Sequence, residues 1–221
     1  MKQTTLALGF SIAALVASPA AADIVMVSAS SIQGDNVLFN MGVQTDTTVF
    51  GHTQAGTDVA FTGTSNAGTT IRANGGQARI EGALDTSTPN PNDTFTLDSL
   101  SFDLVGGNTF NNLEFNLFGG DATAATFTIL DNQGETTVFS GNALGNGSNF
   151  FGFQGINGQS ISNVSISFTG GGVGDVRQIR LDEVTAGAVP EPASWALMIA
   201  GFGGVGMILR RSRRQGAVGA A

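Results

Sequence analysis

Between residues 97 and 184 apolar and polar side chains alternate in runs broken by turn residues. TFTLDSLSFDLVGG sets Leu100, Phe102 and Leu104 against Ser101 and Asp103. LEFNLFGG sets Leu113, Phe115 and Leu117 against Glu114 and Asn116, and NVSISFTGG carries the same period through Val164, Ile166 and Phe168. A period of two predicts β-strands with one buried and one wet face. Gly106-Gly107-Asn108, Gly119-Gly120-Asp121 and Asp131-Asn132-Gln133-Gly134 separate the runs with the residues that turns demand. Ten or more such runs fill residues 23–185, with no convincing helical period before Trp195.

The expected class is therefore all-β, an antiparallel β-sandwich of the jelly-roll kind. A right-handed β-solenoid is the alternative, although no fixed repeat period is visible. Fourteen phenylalanines fall in the body and supply most of its core volume. Pro89-Asn90-Pro91-Asn92-Asp93 reads as a long loop between two groups of strands. With 41% apolar residues in 221, the chain can build one sizeable core. It has no cysteine, and therefore neither disulfides nor thiolate chemistry.

The two ends follow other patterns. MKQTTLALGFSIAALVASPAAAD joins a basic start, an apolar run and small residues before Asp23. It reads as a secretory signal peptide, residues 1–22, cleaved between Ala22 and Asp23 and delivering the chain to the Sec export machinery. At the other end, residues 195–209 form an uncharged apolar run of about 22 Å as helix, short for a ~30 Å hydrocarbon core. Arg210, Arg211, Arg213 and Arg214 follow as a cytoplasmic flank in residues 210–221, which puts the body outside.

Gly201, Gly203 and Gly206 also satisfy G-x-G-x-x-G, the string of a dinucleotide-binding turn. Only fifteen residues follow Gly206, none of them acidic, so a βαβ unit with its ribose-binding acid has no room. Small residues in a membrane segment let helices pack closely instead.

Residues 186–194 form a linker holding Val189-Pro190-Glu191-Pro192, followed by Trp195-Ala196, the glycine-rich apolar run and the arginines. This order of elements resembles the PEP-CTERM sorting signal, in its variant with Trp-Ala after the PEP box. The resemblance covers roughly the last 30 residues. It implies recognition of Pro190, Glu191 and Pro192 by an exosortase, a membrane cysteine protease. It further implies removal of the tail and delivery to the surface of a Gram-negative bacterium, often one that makes exopolysaccharide. The strings GDNVLFN, GQARIEG and VRQIRLDEV of the body resemble the β-domains that accompany such tails. Two prolines hold the box extended, the form a protease grips.

Charge narrows what the body contacts. Between Asp23 and Val189 four arginines stand against sixteen carboxylates, a net charge of −12 that repels nucleic acid and anionic headgroups. His52 is the only histidine, so a multi-histidine metal site is excluded, and GHTQAG places it in a turn-like stretch. No G-x-S-x-G elbow occurs, and the scattered acids offer no preferred pair for glycoside hydrolysis. Calcium is the metal that oxygen-rich turns suit, with Asp175, Asp182, Glu183 and Asp121 as candidate ligands; no other cofactor is expected. The Thr-rich stretch TDTTVFGHTQAGTDVAFTGTSNAGTT forms either exposed strand surface or a hydroxyl-lined face for a polymer. The expected function is that of an exported, non-enzymatic cell-surface or matrix β-protein. A calcium-dependent module binding exopolysaccharide is the alternative, although the body contains neither Trp nor Tyr.

Overall fold

The computed structural model describes residues 23–75, 79–83 and 95–184, together with Ile199 and Phe202. It divides the chain into two units, Met1–Glu183 and Val184–Ala221. In the second unit Ile199 and Phe202 are helical and exposed. The signal-peptide residues, the 89–93 loop, the PEP box with Trp195 and Ala196, and the four terminal arginines lie outside the described residues. Among the described residues no helix is long and apolar enough to cross a membrane.

Among the described residues fourteen strands build the body. The first seven in chain order are β1 (Asp23–Val27), β2 (Asp35–Asn36), β3 (Gln44–Asp46), β4 (Thr48–His52), β5 (Asp58–Ser65), β6 (Ile71–Asn74) and β7 (Arg79–Gly82). The rest are β8 (Leu97–Leu104), β9 (Thr109–Phe118), β10 (Ala124–Asp131), β11 (Thr136–Ala143), β12 (Ser148–Ile156), β13 (Ile161–Thr169) and β14 (Asp175–Val184). All hydrogen-bond into one sheet. The pair Phe110–Ile161, where β9 meets β13, joins two layers of that sheet.

The first layer runs β3-β6-β7-β14-β9-β12-β1, with β2 against the end of β14; the second runs β4-β5-β8-β13-β10-β11. From β7 onward the orders β7-β14-β9-β12 and β8-β13-β10-β11 are those of a jelly roll, widened by extra strands. On the far side Thr47 alone separates β3 from β4, so the sheet nearly closes into a barrel. The registered pairs are antiparallel, which removes the solenoid.

Alternation decides which side chains meet between the layers. Phe61, Phe102, Phe110, Phe115, Phe127 and Phe153 are fully buried there with Leu100, Leu104, Leu113 and Ile80. A continuous row of rings runs Phe39–Phe61–Phe102–Phe115 at centroid separations of 5.5, 5.3 and 6.3 Å. Phe115 then touches Phe127, Phe151 and Phe153 at 5.7–6.1 Å. Aromatic pairs at these spacings add to what burial alone contributes.

The expected turn at Asp131 has a specific cause. Its carboxylate is buried and accepts the backbone N–H of Gln133 at 2.8 Å and of Glu135 at 2.9 Å, bending β10 into β11.

The outer face of the second layer is lined with hydroxyls. Thr48 bonds Thr62 at 2.8 Å, Thr64 bonds Ser99 at 2.7 Å and Ser101 bonds Ser165 at 3.0 Å. The Thr-rich stretch thus meets serines far away in sequence. Asp103 stands on this face, opposite Ala60 and Asn163. Burial pushes its carboxyl above the ordinary range, partly offset by a hydrogen bond from Asn163.

A raised folded-state value means that ionised Asp103 opposes folding above that value, and that the opposition fades as pH falls through it. Asp103→Asn is therefore expected to be neutral to stabilising at neutral pH, with an advantage that shrinks toward about pH 4. Thermal midpoints at the two pH values check this. A wild type more stable than the variant at neutral pH contradicts it.

A polar face on the first layer

The outer face of the first layer collects every arginine of the body. Period-two alternation explains it: Ile71 and Ala73 of β6, Ile80 of β7, and Val176, Ile179 and Leu181 of β14 turn inward. Arg72, Arg79, Arg177 and Arg180 accordingly turn outward. Register then sets them beside carboxylates, because Arg72 lies opposite Glu81 and Glu81 opposite Asp175.

Arg72 pairs with Glu81 at 2.6 Å, Arg79 lies 3.4 Å from Glu81, and Arg177 forks onto Asp175 through Nε and Nη2. The carboxylate of Asp175 is buried and serves as the hub, with Arg79 on its other side at 4.0 Å. Hydrogen bonding to that carboxylate pushes the Arg177 guanidinium still further up from its ordinary value. The same guanidinium lies 3.8 Å from the centroid of the Phe118 ring, a cation–π contact.

Farther along, β9 carries Asn112, Glu114 and Asn116 on this face. Alternation predicts a wet face for Glu114 and Asn116, yet both are buried. Neighbouring strands explain the difference. The Asn116 amide donates to Gln178 Oε1 at 2.9 Å and to Ser148 Oγ at 3.3 Å, and its oxygen accepts the Asn149 N–H at 2.9 Å. Arg180 reaches over Glu114 at 3.9 Å and donates from Nε to Asn36 Oδ1 at 3.0 Å.

Gln178 has φ = +54° in the middle of β14, a left-handed conformation costing an ordinary residue about 1–3 kcal/mol. The geometry accounts for it, since the irregularity turns Gln178 toward Asn116 while Ile179 stays in the core. Two hollows of about 620 and 610 Å³ flank Arg177. Asn36, Asn116, Ser148, Gln178 and Arg180 line one, and Arg72, Glu81, Phe95, Phe118 and Asp175 line the other.

The acids proposed as calcium ligands from sequence are not gathered. Asp175 is held by arginines, and Asp182 accepts from Asn112 at 3.3 Å. Glu183 accepts from Thr53 at 2.9 Å, Thr57 at 2.6 Å and Asn108 at 3.1 Å, stapling two turns to the end of β14. Asp121 lines the second hollow. Among the described residues no group of three or more His, Cys, Asp or Glu side chains is placed to hold a metal ion. His52 does not sit in a loop. It ends β4, half-buried, with its backbone paired to Leu38 and Asp58.

Sequence reasoning passed over the arginine face. Its trace was the recurrence of arginine beside an acid two positions away, in RIE, DVR and RLD.

Comparison with known proteins adds one match along the chain: the PEP-CTERM protein-sorting motif covers residues 188–214. No curated protein matches. Two solved structures of family 29 carbohydrate-binding module mutants are remotely similar in fold. The first has 9% identity over 73% of this chain and 89% of that one, with a TM-score of 0.28. The second, complexed with mannohexaose, has 8% identity over 74% and 93%, with a TM-score of 0.31.

Proposed function

We propose that this chain, which carries a PEP-CTERM protein-sorting motif, is a non-enzymatic protein of the cell surface or extracellular matrix, processed by an exosortase. The motif places it among exported proteins that are anchored in the inner membrane before processing. The observation that carries the reading is the position of the motif: it begins at residue 188, just after β14 ends at Val184. The folded body is thus complete before the sorting signal starts, and removal of the signal leaves it whole.

The other end supports the same reading. Among the described residues strand β1 runs from Asp23 and pairs with β12, Asp23 opposite Ile156. Cleavage after Ala22 keeps that strand intact, whereas cleavage a few residues later strips the edge of the first layer.

A non-enzymatic role is supported by how the polar groups are spent. The carboxylates of Asp175 and Glu81 are tied to arginines, and that of Glu183 to hydroxyls and an amide. A general acid or base needs a reactive proton within reach of substrate, and these groups serve as fixed acceptors.

The test is to follow the native protein. Intact mass of the chain recovered outside the inner membrane is expected to begin at Asp23 and to lack the arginine-bearing tail. Wild-type protein found only as a full-length membrane species, on blotting with a tail-specific antibody, defeats the proposal.

A further inference from the structure

We propose that the outer face of the first layer, from Arg72 across to Phe150, is a binding surface for a neutral, polyhydroxylated polysaccharide chain. Charge is the first argument. The face sets Arg72, Arg79, Arg177 and Arg180 among Glu81, Asp175, Glu114 and Asp182, so it is close to neutral on a body of net charge −12. The surrounding field repels a polyanion. The neutral face itself offers no excess charge of either sign to a polycation. An uncharged ligand meets neither obstacle.

The second argument is the order of donors and acceptors. Along β7 and along β14 guanidinium and carboxylate alternate, Arg79 with Glu81 and Asp175 with Arg177, and Arg72 of β6 faces Glu81. Neighbouring strands lie about 4.8 Å apart, so the five strands from β6 to β12 present a track of roughly 19 Å. A sugar hydroxyl both donates and accepts, and adjacent hydroxyls on one ring fit a surface where the two functions alternate. Neither a hydrocarbon nor a simple anion uses both.

The third argument is pre-organisation. Asn116 is buried and bonded at both ends of its amide, Arg177 is fixed between Asp175 and the Phe118 ring, and Gln178 is held left-handed. Side chains already fixed lose little entropy when a ligand arrives. The two hollows share Arg177 between them, and Gln178 lines the first.

Finally, Phe150 is 49% exposed on β12, directly opposite Asn116, with no core function. A flat apolar ring at the end of a polar track is what the C–H face of a sugar covers. In a body without Trp or Tyr, a phenylalanine has to provide it.

The experiment uses the full-length chain in a polyoxyethylene detergent, whose head group carries no sugar. Its retardation is measured in native gels containing a neutral glucan, galactan or mannan, with alginate as the polyanionic arm. Retardation by at least one neutral polymer and none by alginate is expected. Arg180→Ala and Phe150→Ser are each expected to weaken it roughly tenfold, the size of one anchoring contact, Phe150→Ser with an unchanged thermal midpoint and Arg180→Ala with a lowered one, because Arg180 also covers Glu114.

Four outcomes overturn the proposal: no retardation by any neutral polymer, retardation by alginate alone, retardation indifferent to both substitutions, or binding lost instead in Thr62→Val with Ser101→Ala on the hydroxyl face. None of these touches tail processing, so the sorting proposal stands or falls separately.

Discussion

Replacing Phe115 by alanine is expected to cost about 3–5 kcal/mol and to lower the thermal midpoint by on the order of 10 °C. The size follows from where the ring sits. Phe115 is fully buried at the middle of β9, and its ring contacts Phe102 and Phe127 of the second layer and Phe151 and Phe153 of β12. Truncation removes the packed ring and leaves a cavity walled by four others. Those walls are anchored in three different strands, β8, β10 and β12, so the site cannot collapse without shifting strand pairings on both layers.

A domain holds only about 5–15 kcal/mol in total, so this one change consumes a large part of the margin. Phe150→Ala on the neighbouring strand is the control. That ring lies on the outer face, and its loss is expected to change stability by no more than about 0.5 kcal/mol. Equal losses from the two substitutions, read from thermal unfolding, contradict the assignment of inner and outer faces.

The contrast between Phe115 and Phe150 also marks how far the sequence reaches. The alternation in LEFNLFGG correctly turns Leu113, Phe115 and Leu117 inward, because period two is a local property of a strand. The Gly-rich and Asx turns were legible for the same reason: Asp131 makes its own turn from its own carboxylate. What covers the other side of β9 was not legible. Glu114 and Asn116 are buried by Arg180 and Gln178, some sixty residues later, and no local pattern encodes that β14 lies next to β9.

The arginine face has the same origin. Arg79, Arg177 and Arg180 each show an acid two positions away and Arg72 does not, yet the ladder exists only because β7 pairs with β14 across about a hundred residues, Glu81 opposite Asp175. The calcium candidates show the converse. Asp182 and Glu183 are adjacent in sequence but turn to different neighbours, Asn112 for one and Thr53, Thr57 and Asn108 for the other. Proximity along a strand separates side chains to opposite faces as often as it unites them.

The largest effect is expected at the tail. Changing Pro190-Glu191-Pro192 to Ala-Ser-Ala is expected to abolish release and leave the chain as a full-length membrane species. The motif spans residues 188–214. On the proposed reading the apolar run and Arg210, Arg211, Arg213 and Arg214 are expected to answer to the bilayer, through hydropathy and the positive-inside preference. Neither is altered by the substitution, so insertion is expected to be unaffected.

On the proposed reading the PEP box is expected to answer to the protease. Proline disfavours helix and favours extended backbone, and Glu191 carries a charge that Ser lacks. The complementary change, Gly201, Gly203 and Gly206 to Leu, raises the hydropathy of the run and is expected to preserve insertion. Blotting of membrane and medium fractions with a tail-specific antibody separates the cases. If the Ala-Ser-Ala chain is trimmed and released like the wild type, the box is a spacer and the segment is an ordinary anchor. If it accumulates uncut while the body keeps its wild-type thermal midpoint, the loss lies in recognition and not in folding, since the box begins beyond the last residue of β14.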